Sequence, residues 1–165
     1  MNFYTKEYFD WMKKTANYRP KIQRLVSNLF YYYKPKKVLD VGCGHGFLVK
    51  ALLDKKIEAM GVDFSEFAGT EIPDNFIRVD AKHLPFDDNL FDVVISSDFF
   101  EHLQEKDIDQ VYSEMKRVGK NVMALISFKE KEKSHLTVKP REWWENKLPD
   151  CRIIKTYNEI KNERI

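Results

Sequence analysis

The stretch Val38-Leu39-Asp40-Val41-Gly42-Cys43-Gly44-His45-Gly46 decides how the rest of the chain is organised. A short apolar run delivers an aspartate and then glycines at three alternate positions, and the apolar-periodic segment 47–53 follows at once. That pattern is a buried strand, a tight turn and a helix start. Glycine suits such a turn because a Cβ would hold a ligand away from the backbone, and because some positions need φ > 0. The helix start behind it offers unpaired N–H groups. These nine residues are therefore the floor of a nucleotide-type cofactor site.

Working outward, the next strand spans 58–63 and ends at Asp63, 21 residues after Gly42. In a doubly wound sheet this strand lies beside the first, and a carboxylate at its tip can accept from both hydroxyls of a ribose over the glycine turn. Residues 64–75 contain Gly69 and Pro73, so a short irregular turn is expected there instead of a full crossover helix. Strands follow at 76–80 and 91–96, the latter with the continuous apolar run of a parallel sheet covered on both faces. An amphipathic helix over 107–118 buries Ile108, Val111, Tyr112, Met115 and Val118, and strand, short helix and strand are expected at 121–127, 140–148 and 151–157.

Upstream of the first strand, two helices are expected. The first places Tyr4, Tyr8, Trp11 and Met12 at helical spacing, and the second, after Arg19-Pro20, shows Ile22, Leu25, Val26, Leu29 and Phe30 on one face. The aromatic stripe serves either as packing surface or as a cover folded over the ligand. Alternating strands and helices imply a Rossmann-like, doubly wound, mostly parallel α/β sheet of six to seven strands.

With 165 residues the chain reads as a single domain, 1–165, in which helices over 1–34 cover the cofactor site. Charged residues make up 33% and hydrophobic ones 43%, ordinary for a globular protein. The net charge of +2 gives no argument for a nucleic-acid or membrane partner. No run approaches the roughly 18 apolar residues of a membrane span. Two cysteines, Cys43 and Cys151, form no Cys-x-x-Cys pair, so a reducing, cytoplasmic setting is expected and no metal site.

The glycine pattern differs from the Gly-x-Gly-x-x-Gly of dinucleotide folds and lacks the Gly-Lys-Ser/Thr of phosphate loops. Asp40, just before the glycines, would repel a pyrophosphate and suits a cationic ligand better. Together with Gly61-Val62-Asp63-Phe64-Ser65, Asp80-Ala81-Lys82-His83-Leu84-Pro85-Phe86, Phe91-Asp92-Val93-Val94-Ile95-Ser96-Ser97 and Glu101-His102-Leu103, the stretch resembles the class I S-adenosylmethionine-dependent methyltransferases, specifically the methyltransferase type 11 group. The resemblance covers about 35–127. It implies that Asp40 and the backbone of Gly42, Cys43, Gly44 and Gly46 face the methionine part of S-adenosyl-L-methionine. Asp63 would take the ribose hydroxyls, Phe64 the adenine face, Asp80 the adenine amino group, and Ala81 would offer its backbone N–H. Ser97 or Asp98 would border the transferable methyl, and Arg19 would pair with the methionine carboxylate. S-adenosyl-L-homocysteine would be the product.

For the acceptor, His102 and His135 follow the C-terminal edge of the sheet and are the candidate bases, with Asp98 beside them. The segment Ser134-His135-Leu136-Thr137-Val138-Lys139-Pro140-Arg141-Glu142-Trp143-Trp144 resembles, more loosely, a His loop and Trp-Trp helix of small methyltransferases from sugar and surface-polysaccharide pathways. Trp143 and Trp144 read first as core. The expected activity is methyl transfer to O or N of a small molecule; the alternative is a non-catalytic S-adenosylmethionine-binding subunit. The fourth strand ends Ser96-Ser97-Asp98-Phe99, without the Asp/Asn-Pro-Pro-Tyr/Phe loop of enzymes that methylate bases, which argues against nucleic acid. After the sixth strand only 158–165 remain, so the family's seventh strand is expected to be short or missing. A stub at 164–165, an early chain end or a homo-oligomeric partner would account for it, since an uncovered edge needs protection.

Overall fold

The computed structural model describes residues 4–15, 18–128 and 134–154. Among these, six strands form one parallel sheet in the order β3-β2-β1-β4-β5-β6. The strands are β1 (Lys37–Val41), β2 (Glu58–Asp63), β3 (Phe76–Arg78), β4 (Val93–Ser97), β5 (Val122–Leu125) and β6 (Cys151–Ile154). Helices are α1 (Lys6–Thr15), α2 (Tyr18–Tyr32), α3 (Phe47–Leu53), α4 (Glu105–Val118) and α5 (Arg141–Lys147). The Rossmann-like doubly wound reading holds. Residues 64–75 form no crossover helix, only a 3-10 turn at Pro73–Asn75.

The sheet reverses direction of growth between β1 and β4, which pair directly with Val41 opposite Ser96. A crevice opens at such a switch point, beyond the carboxyl ends of the strands. Side-chain alternation then sorts residues between two apolar layers. Leu39 and Val41 of β1 join Val94, Val111, Met115 and Trp144 on the α4 and α5 face. Val38 joins Leu29, Leu48, Val93 and Ile95 on the α2 and α3 face. Period two puts Asp40 on the same face as Val38, beneath α2 and α3, where it is 4% exposed.

The α4 stripe is buried as expected: Ile108, Val111, Tyr112, Met115 and Val118 all face the core. Trp144 is fully buried and Trp143 packs against the same cluster, so the Trp-Trp helix is core. At the sheet's far edge, β6 pairs parallel to β5 with Leu125 opposite Ile154, so no open slot separates the two strands. The expected continuation of β6 to 157 and any seventh strand lie outside the described residues.

Candidate active site

The glycine turn is fixed from two sides. The N–H groups of Gly42 and Cys43 both donate to the Val62 carbonyl at 2.9 and 3.0 Å, tying the turn to β2. From the other side, Gly69 N–H donates to the Gly44 carbonyl at 2.7 Å and Glu71 N–H to the His45 carbonyl at 3.0 Å. Two glycines serve different ends. At Gly46, φ is +87° and a Cβ would stand 2.3 Å from Ile72 Cγ1, so its smallness serves packing. At Gly44, φ is +54° and nothing lies within 4 Å of where a Cβ would be. That open side belongs to a cavity of about 690 Å³, within the range of small-molecule sites.

Two carboxylates stand at the strand tips on this side. Asp63 accepts from Gly44 N–H at 3.0 Å and Ser65 N–H at 2.9 Å. Burial still raises its pKa against those bonds. Asp40 is pushed up to about 7, chiefly by burial; Lys21 opposes the shift and Asp63 adds to it. A buried acid in that state is poised to receive a cationic group. Phe64 lines the wall 56% exposed, an apolar face turned outward. Asp80 and Ala81 line it too, although the Asp80 carboxylate also accepts from Lys82 N–H at 3.0 Å in its own turn.

The opposite end of the cavity is assembled from two segments far apart in sequence. A 3-10 turn at Phe100–His102 follows β4, and residues 134–137 are pinned onto it. Leu136 and Thr137 N–H both donate to the Glu101 carbonyl, at 2.8 and 3.0 Å, and Thr137 Oγ1 donates to the Leu103 carbonyl at 2.8 Å. His102 Nδ1 bonds the Ser134 carbonyl at 3.0 Å. A carbonyl only accepts, so Nδ1 carries the proton. These bonds bring the His102 and His135 rings to 4.8 Å between centroids, edge to face. Glu101 is 0% exposed; one oxygen accepts from Ser127 N–H at 2.8 Å, and Oε2 has no hydrogen-bond partner among the described residues. Burial, and then Asp98, raise its pKa to about 8.

The N-terminal helices wall the cavity. Tyr4, Tyr8, Phe9, Trp11 and Met12 of the aromatic segment line it, so the stripe both packs and faces the ligand space. His45 anchors α1: Nε2 bonds the Phe9 carbonyl and Nδ1 the Thr70 hydroxyl, each at 2.9 Å. From α2, Lys21 pairs with Asp98, which has φ +51° at the end of β4. Tyr18 OH is buried without a partner among the described residues, and burial pushes its pKa up to about 12.

Of the expected site residues, Asp40, Gly42, Cys43, Gly44, Asp63, Phe64, Asp80, Ala81, Ser97, Asp98, His102 and His135 all line this one cavity. Two are placed differently. Arg19 is exposed and outside the lining, because the helical turn at the start of α2 directs Lys21 inward in its place. Gly46 is buried against Ile72, also outside the lining. The cavity also takes Lys21, Tyr18 and Glu101, none of them expected as site residues, and His45, expected only as a member of the glycine turn. Only Glu101 carried a signal, as an acid placed next to a histidine just past a buried strand.

The residues fit a ligand that is cationic at one end and carries a ribose. Asp40 is a buried acid, Asp63 stands at a strand tip, the Gly44 side is open, and Ser97 Oγ is buried with no partner among the described residues. A parallel sheet with this switch-point cavity is the architecture of nucleotide-cofactor enzymes. The sequence model described as "Methyltransferase domain" matches residues 39–125, and the chain belongs to that family. It is 33% identical over 108 residues to malonyl-[acyl-carrier protein] O-methyltransferase of Geobacter sulfurreducens, covering 59% of this chain and 40% of that protein. With ajmaline N-methyltransferase of Rauvolfia serpentina the identity is 30% over 125 residues, covering 66% of this chain and 42% of the relative. The chain thus spans about two fifths of the length of these relatives. A S-adenosylmethionine-dependent methyltransferase structure from Archaeoglobus fulgidus superposes with a TM-score of 0.70 at 23% identity, covering 86% of this chain and 72% of that one, a likeness of fold. No helix among the described residues is long and apolar enough to cross a membrane.

Proposed function

We propose that this protein binds S-adenosyl-L-methionine over the glycine turn and transfers its methyl group to an oxygen or nitrogen of a small molecule. The observation that carries the reading is one cavity running from Asp40 and Asp63 to His102 and His135. When bound, S-adenosyl-L-methionine supplies a methyl group made electrophilic by the sulfonium. Asp40 would neutralise the ammonium, Asp63 would hold the ribose, and Phe64, Asp80 and Ala81 the adenine. Lys21, which pairs with Asp98 while no ligand is bound, would take the part expected of Arg19 and meet the carboxylate.

At the other end, His135, His102 and Asp98 would touch the acceptor. They would hold the acceptor atom in line with that methyl group, opposite the sulfur that would keep the electron pair of the broken bond. The acceptor's proton passes to an imidazole; in His102 that atom is Nε2, because Nδ1 already carries a proton toward Ser134. The aromatic wall from α1 would exclude water, which such a displacement needs. A sugar or surface-polysaccharide precursor as acceptor rests on the resemblance of the His135 loop alone; buried Trp144 contributes no platform. Relatives named for O- and for N-methylation leave both atoms as acceptors. The free cysteines Cys43 and Cys151 support a cytoplasmic setting.

Calorimetry with S-adenosyl-L-methionine and S-adenosyl-L-homocysteine tests this directly. Wild type is expected to bind both, and Asp63→Ala to lose at least about tenfold in affinity, the scale of a lost charge-assisted pair. A wild-type protein that binds neither overturns the proposal.

A further inference from the structure

The acceptor end of the cavity holds a feature that base chemistry leaves unexplained. Glu101, His102 and His135 each present one ligand atom, a carboxylate oxygen or an imidazole nitrogen, and all three atoms lie within 4.8 Å of one another. Glu101 is 0% exposed, yet its Oε2 has no hydrogen-bond partner among the described residues and the residue lines the cavity. Leaving a buried carboxylate oxygen bare is costly unless something is meant to meet it. We propose that Glu101, His102 and His135 form a binding site for a divalent transition cation of the zinc type, whose open positions face the cavity and hold an acceptor oxygen.

Three lines converge on that chemistry. The donor set is two imidazoles and one carboxylate, the composition of catalytic zinc sites that keep a position open and of facial sites for other divalent transition metals. Borderline nitrogen donors disfavour calcium and magnesium, which take oxygen ligands. The supporting shell is also in place. His102 Nδ1–H donates to the Ser134 carbonyl, which puts the ring's lone pair on Nε2, the arrangement that orients a ligating histidine. Glu101's other oxygen is held by Ser127 N–H, so its carboxylate plane is fixed. The segment bearing His135 is locked to the Glu101 backbone by the bonds from Leu136 and Thr137, so the third ligand is held by the same turn that carries the first two.

Asp98, the other acid nearby, is engaged by Lys21 and stays outside the trio. A cation held there would take both imidazole lone pairs, so neither ring would then serve as the base described above. It would instead acidify a bound acceptor hydroxyl, whose proton would leave to solvent as the acceptor enters, and would disfavour a protonated amine. This selectivity for oxygen rests on the methyl-transfer reading; the cation site itself does not.

The test is uptake of Zn²⁺ by the full chain with no S-adenosylmethionine present, measured by calorimetry and equilibrium dialysis, with Co²⁺ as a spectroscopic probe. Wild type is expected to take up one ion per chain and to show visible d–d bands with Co²⁺. Glu101→Gln keeps an acceptor for Ser127 N–H but loses the charge. It and His135→Ala should each weaken Zn²⁺ binding at least about tenfold and bleach the Co²⁺ bands, the scale of a lost ligand or its support. His83→Ala, an exposed histidine outside the cavity, should change nothing. Should Glu101→Gln fail to fold, His135→Ala and His102→Gln carry the same comparison. No uptake by wild type, or uptake undiminished in folded Glu101→Gln and His135→Ala, overturns the proposal. A protein that binds S-adenosylmethionine but not Zn²⁺ overturns this site alone. One that binds Zn²⁺ but not S-adenosylmethionine overturns the cofactor reading and leaves the site standing.

Discussion

The two ends of the cavity are built in opposite ways. The glycine turn is made from neighbours in sequence: β1, the turn and α3 follow one another over 37–53, and β2 lies alongside in register. The acceptor end joins the turn at 100–103 to residues 134–137 through four hydrogen bonds across more than thirty residues of chain. The first end is dictated by local conformation; the second exists only once the fold has closed. Substitutions in the first should therefore act on binding, and in the second on chemistry and positioning.

The largest contrast is expected from His135→Ala. Turnover to S-adenosyl-L-homocysteine with an acceptor pool should fall about 10²- to 10⁴-fold, the worth of a positioned acid–base or ligating group. Calorimetric affinity for S-adenosyl-L-methionine should stay within about threefold, less than the tenfold that 1.4 kcal/mol makes. A parallel loss of affinity would erase the distinction between the two ends.

Next, the two glycines should separate packing from ligand space. Gly46→Ala, with Ile72 Cγ1 2.3 Å from the new carbon, should lower stability by about 2–4 kcal/mol in denaturant melts, from overpacking plus backbone strain. Gly44→Ala meets no atom within 4 Å, so about 1–2 kcal/mol of strain is all it should cost the fold, while cofactor affinity falls more steeply. Equal effects on melting would refute the division.

Thr137→Val sharpens the comparison from the other side. It keeps shape but leaves the Leu103 carbonyl without its hydroxyl donor in a buried place. About 1–3 kcal/mol of stability should go, together with a drop in kcat at unchanged cofactor affinity. Unchanged kcat would mean that the pin does not position His135.

The smallest effect concerns pH. Asp40 has a folded pKa of about 7 against an ordinary 3.8, raised by burial. The folded, ligand-free protein holds that proton longer than the unfolded chain does. The contribution of Asp40 to stability is thus fully present below about pH 4 and is lost as pH rises through about 7. Asp40→Asn should flatten that decline in thermal melts taken from pH 5 to 8. Binding a cationic ligand should restore the charge, so S-adenosyl-L-methionine binding below pH 7 should release a proton, seen in calorimetry as a dependence on buffer ionisation heat. Binding heats that are the same in every buffer would show that Asp40 does not meet the ligand's cation.

The same asymmetry decides what was legible in the sequence. Strand, turn and helix at 37–53, and Asp63 at the tip of β2, follow from local pattern, and the structure has them at those residues. The absent crossover helix in 64–75 was readable from Gly69 and Pro73. Arg19 and Lys21 differ by two positions on a helix, a rotation of about 200°, and where α2 starts sets which of them turns inward; no periodicity states that. Glu101 was legible only as a turn acid. Its burial depends on a backbone bond network with residues 134–137 that carries no spacing rule. His45 read as part of the glycine turn, because its partners, the Phe9 carbonyl and Thr70, lie 36 and 25 residues away.

That imidazole has a kinetic consequence. One buried ring joins α1, the glycine turn and the segment carrying Thr70, so α1 cannot swing away without breaking the bond from the ring's Nε2–H to the Phe9 carbonyl. Water reaches the ring once α1 leaves, so the lost bond costs about 0.5–1.5 kcal/mol, which makes the detached state roughly two- to twelvefold rarer than it would otherwise be. Release of whatever occupies the cavity should then be coupled to breaking that bond and the Lys13–Glu71 ion pair, which ties α1 to the same segment. Amide exchange in α1 and release of ligand should share one clock.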